Sequence, residues 1–218
     1  MILKICGITN QDDASAAIDA GATAVGFNFY SRSPRYVTPE RAGEIATAAG
    51  VRRVGVFVNE KREVVEEIVR TARLDVAQLH GDESPAEYPG GGERVEMSLD
   101  TAGRSARATS TVWKALRVDA SFDLALYEDD PAEALLLDGP AGELYGGAGK
   151  SFDWRLVRQT DRKIVLAGGL DASNVGIAIE LVRPWGVDAC SRIESAPGRK
   201  DRKKMIEFLQ AAMAAVHV

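Results

Sequence analysis

Apolar residues arrive along this chain in short dense runs, and between most of the runs they thin out to a helical spacing. The dense runs cover residues 2–6, 23–29, 52–58, 75–79, 111–118, 134–138, 163–167 and 186–190. They are rich in β-branched residues and too short for helices, so they predict eight strands. Residues 10–21, 38–50 and 63–74 show amphipathic spacing and predict helices. Thr38 followed by Pro39 has the form of an N-cap with proline at the first helical position. Gly21 and Gly50 stand where left-handed residues close helices. Strand–helix alternation of this kind predicts a parallel sheet.

Eight units in 218 residues predict the α/β class and a single (β/α)8 TIM barrel occupying residues 1–218, a fold of typically ~250 residues. An open doubly wound sheet is the alternative. It would normally place GxGxxG after the first strand, and "CGITNQ" follows here. Residues 89–110 are Gly-, Ser- and Arg-rich and lose periodicity. They predict an irregular excursion before strand five, with room for a short extra strand at "RVEMSL". No linker or second domain is visible.

The barrel places chemistry at the C-terminal ends of the strands. The polar groups there are Cys6, Asn28, Arg35, Asn59, His80, Asp138, Asp188 and Cys190. Alternation along strand one turns Lys4 and Cys6 toward the axis and Leu3 and Ile5 toward the helices. A lysine charge inside a barrel needs a partner. Asp188, on the neighbouring strand eight, is the candidate.

Composition narrows the function. The chain is 45% apolar and 27% charged with a net charge of −5, which argues against a nucleic-acid partner. Two cysteines make neither a disulfide framework nor a metal spacing, and suit the reducing cytoplasm. No signal-peptide pattern is visible. No run of ~18 apolar residues suggests a membrane span.

Eight motifs in order, "KICGIT", "AVGFNFYSRSPRYV", "VGVFVNE", "AQLHGDE", "LLLDG", "GGAGKSFDW", "LAGGLDASNV" and "GVDACSRIESAPGRKD", resemble the phosphoribosylanthranilate isomerase family of tryptophan biosynthesis. The likeness runs from Lys4 to about Asp201, broken around residues 89–110. It implies an Amadori rearrangement of N-(5′-phosphoribosyl)anthranilate to 1-(2-carboxyphenylamino)-1-deoxyribulose 5-phosphate, without cofactor or metal. It further implies Cys6 as the base at C2′ and Asp138 as the acid that opens the furanose ring. The partner is then a small phosphorylated substrate, and the chain a monomer or homodimer.

Residue chemistry fits those roles. A free thiol has a pKa of ~8.5 and needs a nearby cation to supply thiolate at neutral pH. An acid needs its proton, and Leu135, Leu136 and Leu137 give Asp138 an apolar approach that favours the neutral form. Without the family likeness, Cys6 reads as a buried structural thiol and Asp138 equally as a helix cap. Gly168, Gly169 and Ser191 are candidates for the phosphate, where bare backbone can approach it. "GGAGKS", with Gly146, Gly147 and Gly149, is a candidate lid, and Lys150 reads as solvated. Arg35 matches the family's grip on the anthranilate carboxylate, a bidentate task for guanidinium. Arg32 is the nearby decoy. His80 reads as a hydrogen-bonding wall residue.

One departure stands out. The family's Ser-Ser-Gly after strand eight is Cys190-Ser191-Arg192 here. Arg192 either grips the phosphate or turns outward to Glu194 or solvent. Cys6 and Cys190 end neighbouring strands, so a disulfide between them is conceivable; the alternative is that their side chains diverge. Three other functions compete. They are an isomerase for the histidine-pathway aminoaldose, an enzyme accepting both substrates, and a non-catalytic phospho-ligand-binding barrel. The first would show a two-fold repeat of phosphate loops, which is absent. The last needs neither a thiol nor a facing acid.

Overall fold

A computed structural model describes residues 1–88, 110–139 and 151–216. The strands are β1 (Ile2–Cys6), β2 (Ala24–Asn28), β3 (Arg52–Phe57), β4 (Val76–Leu79), β5 (Thr111–Arg117), β6 (Ala134–Asp138), β7 (Ile164–Leu166) and β8 (Gly186–Ala189). They hydrogen-bond in chain order, all parallel, and β1 pairs with β8 to close a barrel. All eight predicted strands are present. The predicted excursion at residues 89–110 and the "GGAGKS" segment lie outside the described residues, apart from Ser110 and Ser151 at their edges.

The helices are α1 (Gln11–Asp19), α2 (Pro39–Glu44), α3 (Arg62–Thr71), α4 (Val175–Val182) and α5 (Arg202–Val216). Asn10 caps α1 by accepting from the Asp13 amide. Thr38 caps α2 by accepting from the Arg41 amide, with Pro39 behind it. Gly21 closes α1 at φ +102. Gly50 does not close α2, which ends six residues earlier at Glu44. The cause is competition for backbone. Arg53 donates to the carbonyls of Ala42 and Ile45, at 2.5 and 2.7 Å. The Gln11 amide occupies both the N–H and the C=O of Ala46. With these groups taken, a further helical turn has nothing to bond. Between β5 and β6 the chain makes only a 3₁₀ turn at Leu124–Tyr127. Asp119, Asp123 and Asp130 each bond an amide two residues on, the local pattern that competes with helix.

Two apolar layers result. Ala24, Val54, Val76, Trp113, Leu136 and Val165 pack inside the barrel. Leu3, Ile5, Phe27, Leu79, Leu137 and Phe208 belong to the larger layer between sheet and helices. Glu133 closes the floor, accepting from Arg52, Trp113 and Lys163 at 3.0–3.1 Å. Burial works against its charge, but those three donors overcome it and hold its pKa at about 2. The floor is thus sealed by ion pairs, and the opposite mouth is left for chemistry. After β8 the chain forms a small hairpin, β9 (Glu194–Ala196) with β10 (Arg199–Lys200). Nothing in the apolar pattern announces it. No described helix is long and apolar enough to cross a membrane.

Candidate active site

The mouth holds a cleft with a cavity volume of about 70 Å³. It is lined by Cys6, Arg35, His80, Asp138, Gly168, Gly169, Cys190, Ser191 and Arg192, among others. Every sequence-predicted catalytic and binding residue therefore reaches one space.

Lys4, one step below Cys6, is fully buried and donates to Asp188 Oδ2 at 2.8 Å. The ladder register sets this pair abreast on β1 and β8. Burial disfavours the ammonium, yet Asp188 and Cys6 more than offset it, so Lys4 stays charged with its pKa above the usual lysine value. Burial lifts the Asp188 carboxyl to about 7 against the pull of Lys4. Asp188 Oδ1 is buried with no hydrogen-bond partner among the described residues.

Cys6 is nearly buried, and its sulfur lies over Gly26 of β2, where a Cβ would come within 2.8 Å of it. Gly7 follows at φ +74. A Cβ there would meet Arg35 Cδ at 2.7 Å and Cys190 Sγ at 3.1 Å. The glycine lets the strand turn sharply while the thiol, Arg35 and Cys190 crowd together. The Cys6 thiol is pushed up by its hydrogen bond to Cys190 and by burial, with Lys4 opposing. Cys190 moves the other way, to about 7. The Cys6 hydrogen bond is the main cause, and Lys200 and Arg35 help against burial. Cys190 Sγ, crowding Gly7 beside Cys6, is close enough for each thiol to set the other's acidity.

Asp138 ends β6 in a nearly buried position. His80 Nε2 lies 3.4 Å from its Oδ2. Gln78 Nε2 lies 3.1 Å from His80 Nδ1. Gly168, at φ +80, packs against the acid, and a Cβ there would fall 2.8 Å from Asp138 Oδ1 and 2.5 Å from the Gly139 amide. Gly169 follows at φ +63. Two successive left-handed glycines turn the backbone into the mouth beside the Ser191–Ile193 3₁₀ turn.

Among the described residues no group of three or more His, Cys, Asp or Glu side chains could hold a metal ion. Residues 3–211 match the family model described as N-(5'phosphoribosyl)anthranilate (PRA) isomerase. The chain belongs to the N-(5′-phosphoribosyl)anthranilate isomerase family. The enzyme of that name from Solibacter usitatus is 62% identical over 216 residues, 99% of each chain. The phosphoribosyl anthranilate isomerase crystal structure from Thermus thermophilus superposes with a TM-score of 0.82 at 34% identity, covering 98% of this chain and 99% of its own. A second isomerase structure holds reduced 1-(o-carboxyphenylamino)-1-deoxyribulose 5-phosphate. It superposes at 0.78 with 35% identity, over 98% of this chain and all of its own.

As an isomerase of this family, the chain differs from the sequence expectation in four places. Arg35 is not an open guanidinium: Glu194 binds its Nε and Nη2 at 2.7–3.1 Å, leaving Nη1 outside that pair. Arg192 pairs with Asp171 at 2.6 Å, not with Glu194, and sits in a 3₁₀ turn without positive φ. Glycine is therefore not required there. Asn59 does not line the mouth. It adopts φ +50 and accepts from the Asp82 amide at 2.7 Å, bracing the loop after β4. Lys200 was not anticipated. Its buried ammonium bonds Glu194 at 2.9 Å and the Cys190 carbonyl at 3.2 Å. Only its place in "SAPGRKD" signalled it. Arg32 is exposed, as its decoy reading required.

Proposed function

We propose that this chain performs the family's reaction, isomerising N-(5′-phosphoribosyl)anthranilate in tryptophan biosynthesis, with Cys6 as base and Asp138 as acid. The observation that carries this reading is their joint presence, at the ends of β1 and β6, in one mouth that also presents Gly168, Gly169 and Ser191. Asp138 gives its proton to the ring oxygen. The bond from that oxygen to C1′ breaks, and the anilino nitrogen's lone pair completes a protonated Schiff base. The Cys6 thiolate then takes the C2′ proton, and the enolamine tautomerises to the ketone. The proton gained at sulfur returns to Asp138 through solvent after product leaves. Each acid or base step of this kind contributes typically ~10²–10⁴-fold in rate.

The His80 imidazole, 3.4 Å from Asp138 Oδ2, holds the carboxyl in place from the side. Arg35 takes the anthranilate carboxylate through Nη1, with Glu194 fixing the guanidinium plane. The phosphate sits on the backbone amides of the Gly168–Gly169 turn and the start of the Ser191–Ile193 turn, where amides lack intrahelical partners. Arg192 borders this cup from its pair with Asp171. Two free thiols at such a site suit the reducing cytoplasm.

The test is the decay of anthranilate-derivative fluorescence on adding enzyme to N-(5′-phosphoribosyl)anthranilate, run beside the histidine-pathway aminoaldose. Turnover of the first substrate alone is expected. Turnover of both would make the chain dual-specific, and binding without turnover would leave only a phospho-ligand barrel.

A further inference from the structure

Cys190 has no part in the acid–base scheme above, yet it is the better placed of the two sulfurs for reaction. It is half-buried and lines the mouth, while Cys6 is 8% exposed. The β1–β8 ladder pairs Lys4 with Asp188 and Ile5 with Ala189, and Cys6 and Cys190 are the next residues along the two chains. Neighbouring strands lie ~4.7–4.9 Å apart, inside the ~4.4–6.8 Å Cα separation a disulfide needs. The Cys190 sulfur lies against Gly7, the residue after Cys6, where a Cβ would come within 3.1 Å of it. Lys200 Nζ lies 3.9 Å from Cys190 Sγ.

We propose that Cys190 is an oxidative modification site for peroxide-class oxidants, with Cys6 as its resolving thiol. The Cys190 thiolate attacks one peroxide oxygen, the O–O bond breaks, and sulfenic acid forms with loss of hydroxide. Cys6 sulfur then attacks the Cys190 sulfur. The S–O bond breaks, water leaves with the Cys6 proton, and a Cys6–Cys190 disulfide remains. A dithiol reductant reverses it by exchange. Oxidation thereby removes the proposed catalytic base, a consequence that rests on the assignment of Cys6 above.

The charged surroundings favour this order of events. Lys200 from β10 and Arg35 from the loop after β2 face Cys190, with Glu194 opposing, whereas Lys4 and Asp188 flank Cys6. A thiol with a pKa of about 7 is half thiolate at neutral pH, roughly tenfold or more above a free cysteine at ~8.5. Reactive redox cysteines are low in pKa, accessible and set beside a resolving thiol.

The experiment treats the wild-type enzyme with hydrogen peroxide near pH 7, then maps peptides without reduction and assays turnover before and after dithiothreitol. A Cys6–Cys190 cross-linked peptide and reversible loss of activity are expected, with an oxidation rate that climbs as pH rises through about 7. In Cys6→Ser, dimedone should trap a sulfenic acid at Cys190. In Cys190→Ser, and equally in Cys190→Ala, the cross-link and the dithiothreitol-reversible loss of activity must both be absent. Absence of the wild-type cross-link, or a dithiothreitol-reversible inactivation that persists once Cys190 is gone, overturns the proposal. A cross-link that forms while turnover persists upholds the modification site and instead refutes Cys6 as the base.

Discussion

Asp188→Asn removes the counter-charge of a lysine that water cannot reach. Lys4 is fully buried and has Asp188 at 2.8 Å as its carboxylate partner. Asparagine keeps the shape and an acceptor oxygen but leaves the buried ammonium without its carboxylate counter-charge. Removing one partner of a buried pair costs about 3–5 kcal/mol, a large share of the ~5–15 kcal/mol that holds a domain together. With a urea slope of about 2–3 kcal/mol per molar, the unfolding midpoint should fall by roughly 1–2 M. The converse change, Lys4→Met, should cost less. Burial already lifts the Asp188 carboxyl to about 7, so without Lys4 it takes up a proton and escapes as a neutral acid. A carboxyl whose folded-state pKa exceeds the ordinary 3.8 binds an extra proton in the folded chain. Lys4→Met should therefore be most stable in mild acid and lose stability steadily as pH rises from the ordinary carboxyl value toward the raised folded-state one. The double variant Lys4→Met/Asp188→Asn should be more stable than Asp188→Asn alone. Circular dichroism and tryptophan fluorescence, followed together through the urea transition, give the midpoints. A shift under about 0.3 M for Asp188→Asn, or a double variant as costly as the sum of the singles, would refute this reasoning.

Gly168→Ala should lower kcat sharply, since its Cβ would press on Asp138 and the Gly139 amide at a φ that also costs ~1–2 kcal/mol without glycine; unchanged turnover would show that the acid is not held there. Arg35→Ala should raise KM more than it lowers kcat, because the carboxylate it binds persists through the reaction; an effect confined to kcat would move Arg35 to the reacting carbons. Arg192→Gly should change KM by less than about fivefold and leave its salt dependence intact, as for loss of an exposed ion pair. Weaker binding with a flatter salt response would instead make Arg192 a phosphate clamp.

What the sequence made legible follows from what each feature depends on. The eight strands show because parallel strands covered on both faces must be apolar throughout, and Ala134–Asp138 is buried along its whole length. The Lys4–Asp188 pair was visible because barrel closure makes strands one and eight neighbours. The end of α2 was not, because it depends on Arg53 and Gln11 reaching its carbonyls and amides from elsewhere in the chain. The grip of Glu194 on Arg35 spans 159 residues of sequence, and no local pattern encodes it. The meeting of Cys6 with Cys190 turned on strand register. A one-residue slip would have turned one thiol outward.

The central claim is that Cys6 and Asp138 do the chemistry, and the most direct measurement is turnover set beside ligand binding in Cys6→Ser. Serine matches the thiol in size but not in acidity, so the site should stay formed while its base is lost. Turnover of N-(5′-phosphoribosyl)anthranilate should fall by at least ~10²-fold, with the Kd for reduced 1-(o-carboxyphenylamino)-1-deoxyribulose 5-phosphate within a few-fold of wild type. Near-normal turnover in Cys6→Ser, with binding intact, would contradict the account.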